Sequence, residues 1–415
     1  MLHSSRRRFI TGLGAASVTG LIPGISGAAI GGKSGAAPVD AAASGEYMLE
    51  PGLIHLNTGT LGAMPRTVFE RTVEAMRRFE RNPPLQAYKV ADDTLLGEAE
   101  RERARSAAFL GCTADELLIT HGTADALGQV ASAIVLQPGE RILTSGAEHD
   151  SGVFCWRWLT RRHGGFIDTV PIAPEELDTD AIVRRFAEAI RPETKVICVS
   201  DVIAWTGLRL PIRALSDLAH AHGLLMVVDG AQAVGQVPVD VAALGCDAYA
   251  ASGHKWLLGP KGTGLLYVRA DPAERLRPVA WEDSKRLNSE AMGTCALPLV
   301  IGLGAAVAHL QERTLAAVQE HNLALRNRLH ESLRTLPGVT PVGPLPGPQA
   351  TAMVAFRLPD SIDAGKLRSA LFENHRINMR AVDKNQFNGL RASLHVYNSE
   401  AQVEALMSAL RKELS

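Results

Sequence analysis

Residues 224–255 have the sequence LLMVVDGAQAVGQVPVDVAALGCDAYAASGHK, and two motifs in this stretch indicate how the chain folds. The first is an apolar run that ends at Asp229. The second is Ser252-Gly253-His254-Lys255, which also follows an apolar run. A short apolar run that ends in a polar or glycine-containing turn is typical of a strand buried on both faces. Each motif therefore places ionisable side chains directly after a buried strand.

The same unit of apolar strand, polar turn and helical stretch recurs along the chain from Leu117. The predicted strands are Leu117–Thr120, Arg141–Ser145, Lys195–Ser200, Leu224–Val228 and Ala248–Ser252. Strands that alternate with helices predict a mostly parallel sheet. The carboxyl ends of such strands share one edge, where open α/β sheets bind their ligands. We therefore expect the polar residues after these strands to converge on one crevice.

Beyond Gly304 the pattern changes to long helical stretches over 305–336 and a Pro/Gly-rich connector over 337–348. Strands over 352–357, 377–381 and 390–397 then alternate with helices, which predicts a small α+β domain. At 415 residues, two domains are the expected number. The predicted division is a signal and linker at 1–43, a large domain at 44–304 and a small domain at 305–415. Residues 44–80 of the large domain could instead pack on the small domain.

The first 43 residues resemble an export signal rather than part of a domain. Ser5-Arg6-Arg7-Arg8-Phe9-Ile10 is a twin-arginine pattern, and a weakly apolar stretch rich in glycine and alanine follows it. A disordered basic tail is the alternative. Glycines and Pro23 make this stretch a poor membrane anchor, and no later run approaches about 18 apolar residues. We expect periplasmic or otherwise exported protein, delivered by the twin-arginine machinery, without stable membrane insertion of the mature chain.

The composition is that of a globular protein with a large core, with 46% hydrophobic and 21% charged residues. A net charge of −1 gives no indication of a nucleic-acid partner. The five cysteines are far apart and form no C-x-x-C pair, so we expect free thiols and no metal site. They are Cys112, Cys155, Cys198, Cys246 and Cys295.

Lys255 and Asp229 each have a chemistry that suits a crevice at the sheet edge. Partial dehydration lowers the pKa of a lysine and makes its neutral amine available to form a Schiff base. A buried carboxylate such as Asp229 is costly without a partner, and a protonated pyridine nitrogen would provide one. Taken alone, the lysine could be surface charge and the aspartate a helix N-cap.

Taken together, Val227-Val228-Asp229-Gly230-Ala231-Gln232-Ala233 and Ser252-Gly253-His254-Lys255 resemble class V pyridoxal-phosphate enzymes. This family includes cysteine desulfurases, selenocysteine lyases and the isopenicillin N epimerase-like branch. The resemblance extends from about His55 to Tyr397. It implies fold type I, an α/β fold with a mostly parallel seven-stranded sheet in the large domain and a smaller α+β C-terminal domain. It also implies pyridoxal phosphate as cofactor and a homodimer with shared active sites.

The resemblance assigns three catalytic residues. Lys255 would carry the cofactor and then move a proton at the substrate α-carbon. Asp229 would pair with the pyridine nitrogen, and His149 would stack on the ring. The other cofactor-binding residues that it implies are Gln232 at the ring oxygen, Thr123, Ala124, Ser252 and His254 around the phosphate, and Thr294 from the partner subunit. The phosphate would also meet a helix N-terminus, which favours anions.

Substrate binding is assigned to Arg391, which would hold the carboxylate by its two-pronged geometry, and to Asn57. A surface arginine on a strand is the alternative for Arg391. The loop over 380–389 lacks the nucleophilic cysteine of desulfurases, which excludes persulfide chemistry at that loop but not direct C–S elimination. Aligned on Gly207, Ala204 and Asp201 stand where desulfurases have an asparagine and a histidine.

We therefore expect an enzyme of epimerase or aminotransferase type that acts at the α-carbon of an amino acid or amino-acid-containing metabolite. One alternative is a C–S lyase or a tailoring enzyme of an exported peptide such as a siderophore. The other is a non-catalytic binding protein with the same fold, against which the presence of Lys255, Asp229 and His149 argues.

Overall fold

The structure is a computed structural model that describes residues 45–270, 276, 278–279 and 287–415. Every structural statement below refers to these residues. The predicted export signal, with Arg6 and Arg7, lies outside them.

The strands of the described residues belong to three sheets. Their bounds are β1 (Ile54–His55), β2 (Leu117–Thr120), β3 (Arg141–Ser145), β4 (Phe166–Val170), β5 (Thr194–Ser200), β6 (Leu225–Asp229), β7 (Ala248–Ser252), β8 (Gly264–Val268), β9 (Thr340–Val342), β10 (Met353–Arg357), β11 (Ile377–Asn378), β12 (Arg380–Ala381) and β13 (Gly389–Ser393).

The α-helices connect the strands and cover the sheets. Their bounds are α1 (Arg66–Arg81), α2 (Pro83–Tyr88), α3 (Leu95–Leu110), α4 (Thr123–Ala133), α5 (Asp150–His163), α6 (Thr179–Ala189), α7 (Ile212–Ala221), α8 (Val241–Leu244), α9 (Leu297–Arg313), α10 (Leu315–Leu333), α11 (Ala364–His375) and α12 (Glu400–Leu414).

The largest sheet has seven strands in the order β2-β8-β7-β6-β5-β3-β4. Neighbours from β7 to β4 are parallel, and β8 is antiparallel to both β2 and β7. The predicted α/β fold with a mostly parallel seven-stranded sheet is confirmed. All five strands predicted from the sequence are present within one residue of their predicted ends, and β4 and β8 complete the sheet.

This sheet is buried on both faces, as its apolar strands predict. Along β6, Met226 and Val228 belong to one apolar cluster, whereas Leu225 and Val227 belong to another. Successive side chains of a strand point to opposite faces, so the two clusters are the two faces of the sheet. Burial of both faces leaves the strand ends as the place where polar side chains can collect.

The smaller C-terminal sheet is antiparallel in the order β12-β13-β10-β9, with α10, α11 and α12 packed in the same region. It confirms the smaller C-terminal domain of the predicted fold class. The helical stretches predicted over 305–336 are the greater part of α9 and all of α10, which meet at Thr314, whose φ of 57° cannot continue a helix. The strand predicted over 377–381 is divided into β11 and β12, and β13 ends at Ser393 rather than Tyr397.

The domain boundaries remain a prediction. Helix α9 passes through the predicted boundary at residue 304. In the N-terminal segment, β1 pairs with β11 and Leu56 is buried in the apolar cluster of the small sheet, whereas α1 packs on α9. Within the described ranges, no helix is both long and apolar enough to span a bilayer.

Candidate active site

A cavity of about 590 Å³ lies at the carboxyl edge of the large sheet. Side chains that follow several different strands line it, together with two arginines of the small sheet. Of the residues predicted for the site, the cavity is lined by Lys255, Asp229, His149, Gln232, Thr123, Ala124, Ser252, His254 and Arg391. Residues from Thr123 to Arg391 thus meet in one crevice, as the strand-end pattern predicts.

Lys255 and Asp229 perturb each other across this cavity. Burial lowers the pKa of Lys255 to about 8, and the charge of Asp229 opposes that change. Burial raises the pKa of Asp229, and the charge of Lys255 opposes that rise. The Ala231 N–H also opposes it, because it donates a hydrogen bond to Asp229 Oδ1 at 2.9 Å. The Lys255 amine is therefore neutral in a larger fraction of molecules near pH 8 than an ordinary lysine.

The third residue of helix α5, Gly152, leaves room beside the buried carboxylate of Asp229. A Cβ built on Gly152 would lie 2.7 Å from Asp229 Oδ2, closer than such atoms approach. The absence of a side chain at Gly152 therefore keeps one carboxylate oxygen free of steric contact on this side.

His149 caps α5 and presents its ring to the cavity. Its Nδ1 accepts a hydrogen bond from the Ser151 N–H at 3.2 Å. Burial lowers its pKa, and the nearby Lys255 charge lowers it further. The ring stacks on Trp205, with centroids 5.5 Å apart and planes inclined by 18°. A neutral imidazole with a fixed plane results.

The opposite end of the cavity offers hydrogen-bond donors at the start of α4. Ser252 Oγ lies 2.7 Å from Thr123 Oγ1 and accepts from the Thr123 N–H at 3.1 Å. His254 Nδ1 is buried without a hydrogen-bond partner among the described residues. The first N–H groups of a helix lack intrahelical acceptors, and the helix dipole favours an anion there. This arrangement fits a phosphate group.

Gln232 is held between two elements. Its Oε1 accepts from Trp256 Nε1 at 2.8 Å, and its Nε2 donates to the Gly59 carbonyl at 2.9 Å. A primary amide carries two N–H donors, so one N–H of Gln232 remains for a cofactor oxygen.

Arg391 is a buried guanidinium, which excludes the alternative of a surface arginine. Its Nη1 donates to the Ala204 carbonyl at 2.6 Å, and its Nη2 lies 3.4 Å from Asn57 Oδ1. Its Nε has no hydrogen-bond partner, and no described carboxylate forms an ion pair with it. Burial lowers its pKa to about 9. A buried cation without a counter-ion is costly, so this position suits an anionic ligand.

Two predicted residues lie outside the cavity of their own chain. Asn57 contacts Arg391 and lines a second cavity. Thr294 is exposed, and its Oγ1 lies 3.1 Å from the hydroxyl of Tyr88. Because the resemblance assigns Thr294 to the site of a partner subunit, its role remains a prediction.

Sequence reasoning missed Trp205, Arg380 and Glu148. Trp205 is buried against His149, and its indole Nε1 has no hydrogen-bond partner in the described structure. Arg380 is the first residue of the loop over 380–389 and lines the cavity. Glu148 accepts from Ser145 and Ser200 at 2.5 Å each, and burial raises its pKa to about 7. Glu148 directly precedes His149, and this position was the sequence feature that could have identified it as a site residue.

Cysteine thiols do not line the active-site cavity in the part of the chain that the structure describes. Cys198 and Cys246 are buried, and burial raises the pKa of both thiols. The described loop over 380–389 contains no cysteine.

Comparison with known proteins gives matches over most of the chain. Residues 57–406 match the family model described as Aminotransferase class-V. An isopenicillin N epimerase of Amycolatopsis lactamdurans is 34% identical over 89% of this chain and 97% of its own length. A cysteine desulfurase of Klebsiella pneumoniae strain 342 is 31% identical over 78% of this chain and 83% of its own.

A solved structure shares the fold. It is a C-DES mutant with glycine covalently linked to its pyridoxal-phosphate cofactor, with a TM-score of 0.77 and 22% identity. The alignment covers 87% of this chain and 96% of that one.

Proposed function

This chain belongs to the aminotransferase class-V family of pyridoxal-phosphate-dependent enzymes, and on that premise we propose that it acts at the α-carbon of an amino acid or amino-acid-containing metabolite. The observation that carries the proposal is that Lys255 and Arg391 line one cavity. The first is an amine with a lowered pKa, and the second is a buried guanidinium that forms no ion pair with any described carboxylate.

The residues at the cavity fit the cofactor. The phosphate would be held by Ser252, by the start of α4 and by His254, whose Nδ1 has no hydrogen-bond partner among the described residues. Asp229 would pair with the ring nitrogen, and His149 would lie against the ring. Pyridoxal phosphate, when bound, supplies an aldehyde that reacts with primary amines and a ring that draws electrons away from the α-carbon.

The chain's own residues then bind the substrate and move its proton. Arg391 binds the α-carboxylate by paired hydrogen bonds, which fixes the orientation of the α-carbon. Lys255 removes the α-proton, because its lowered pKa makes the amine an available base. Return of a proton to the opposite face of the same carbon gives epimerisation, the type of reaction for which the 34% identical relative is named.

The α-proton step has a direct test. Holoenzyme is incubated in deuterated water with the proteinogenic amino acids and short peptides, and deuterium at the α-carbon is followed by NMR, with chiral chromatography for inversion. We expect exchange with at least one class of substrate. Cofactor-loaded enzyme that exchanges none of them would contradict the proposal.

We further propose a homodimer with shared active sites. The exposed hydroxyls of Thr294 and Tyr88 lie 3.1 Å apart on the surface, where a partner could use them. This agrees with the family pattern that assigns Thr294 to a second subunit.

Export through the twin-arginine route is the remaining part of the proposal. It is supported by the Arg6-Arg7 pair and by the cofactor site, which combines residues from Thr123 to Lys255 and therefore exists only in a folded chain. The cofactor is made in the cytoplasm, so an unfolded chain would leave without it.

Replacement of Arg6 and Arg7 by lysine together is therefore expected to leave active, cofactor-loaded enzyme in the cytoplasm. Cell fractionation followed by the exchange assay checks this, with Arg8→Lys as the matched control. Undiminished periplasmic activity in the double variant would refute the route.

A further inference from the structure

Arg380 faces the active-site cavity beside Arg391. Strands β12 and β13 are antiparallel, and Arg380 lies opposite Arg391 in their register. Residues directly opposite each other in such a pair project their side chains to the same face. Both arginines line the cavity, as this pairing requires.

Neither guanidinium has a carboxylate partner within the described ranges. Burial lowers the pKa of Arg391, and the nearby charge of Arg380 lowers it further. Like charges at close range are unfavourable unless an anion lies between or beside them. Arg391 is already fixed by the Ala204 carbonyl, whereas Arg380 makes no described hydrogen bond.

A second cavity of about 430 Å³ adjoins the first at Arg380, which lines both. Its wall includes Asn57, which contacts Arg391, and the exposed residues Arg368, Phe372 and Glu373 of α11. Two guanidiniums and one carboxylate give this second cavity a positive balance. It is large enough to receive the end of a substrate whose α-carbon lies beside Lys255.

We propose that Arg380 and this second cavity form a subsite for a second acidic group of the substrate. The substrate class is then amino acids and aminoacyl metabolites that carry a carboxylate beyond the α-carboxylate. The inference rests on the proposed function, in which Arg391 binds the α-carboxylate. The competing arrangement, in which both arginines hold the same carboxylate, predicts no preference for a second acid.

Isosteric pairs of probes separate these arrangements. L-Glutamate is compared with L-glutamine, and L-aspartate with L-asparagine, in the deuterium-exchange assay with the holoenzyme. A hydrogen bond to a charged group corresponds to roughly tenfold or more in affinity. We expect at least one acid to have a KM lower than its amide by about that factor, and Arg380→Gln to remove the difference.

Arg411→Gln is the matched control, because Arg411 is an exposed arginine of α12 that lines neither cavity. Arg368→Gln is the second variant and should weaken the preference less than Arg380→Gln. Melting temperatures establish that each variant is folded. Equal KM values for acid and amide in the wild type, or an equal loss for both in Arg380→Gln, would overturn the subsite.

A binding measurement keeps this test separate from that of the proposed function. Calorimetric titration of holoenzyme with glutarate and with its monoamide needs no turnover. Tighter binding of glutarate, lost in Arg380→Gln, supports the subsite even if no probe exchanges its α-proton. Equal binding of the two probes contradicts it even if exchange is fast.

Discussion

Replacement of Lys255 by alanine is expected to give a folded protein that cannot hold pyridoxal phosphate covalently and has lost α-proton exchange. Lys255 is the amine whose pKa burial lowers to about 8, and it lines the cavity with Asp229 and His149. A positioned general base contributes about 10² to 10⁴ in rate, so we expect a loss of at least about 10²-fold. The wild-type protein should be yellow, and borohydride reduction should fix the cofactor on the peptide that contains Lys255.

Lys261→Ala is the matched control for this experiment. Lys261 lies in the same segment, and burial also lowers its pKa, but its Nζ donates to the Gly62 carbonyl at 2.9 Å and does not line the cavity. This variant should remain yellow and retain exchange. Mass spectrometry that finds the reduced cofactor on another lysine, with wild-type rates in Lys255→Ala, would show that the assignment is wrong.

The large domain could be predicted well because its pattern is local. Each strand that ends near the cavity is a short apolar run, and burial on both faces makes the run continuous. This pattern predicts that β6 ends near Asp229 and that β7 ends at Ser252. By contrast, β4 has a mixed sequence, Phe166–Val170, with an exposed or partly exposed residue at most positions. Such an edge strand lacks the signal of a buried one.

The cavity wall that comes from the small domain could not be predicted in the same way. Arg380 and Arg391 meet because β12 pairs with β13. The sequence of one strand does not indicate which other strand it pairs with. The break between α9 and α10 is local by comparison, since Thr314 adopts a positive φ and its side chain caps α10 by accepting from the Ala317 N–H. Trp205 could not be predicted as a site residue, because its role depends on contact with His149, which is distant in sequence.

The second large effect is expected for Asp229→Asn. Asparagine has the same shape, and its side-chain oxygen can still accept from the Ala231 N–H, so the end of β6 should keep its structure. The neutral amide cannot stabilise a protonated ring nitrogen, and the ring then draws electrons away from the α-carbon less strongly. We expect exchange to slow by roughly 10²-fold or more, on the scale of losing a strong charge interaction in the transition state.

Asp201→Asn separates this electrostatic effect from the loss of a buried carboxylate in general. Asp201 is also buried, but it accepts from Tyr249 at 2.7 Å and pairs with Arg209 at 3.2 Å, away from the cavity lining. Its replacement should lower the melting temperature, because the buried Tyr249 and the partly buried Arg209 lose a charged acceptor. The exchange rate per folded molecule should stay near that of the wild type. If Asp229→Asn binds the cofactor and exchanges at a near-normal rate, the pairing of Asp229 with the ring nitrogen is wrong. If instead exchange is slow in Asp229→Asn and near the wild-type rate in Asp201→Asn, the effect belongs to the carboxylate of Asp229, beside which Gly152 leaves room.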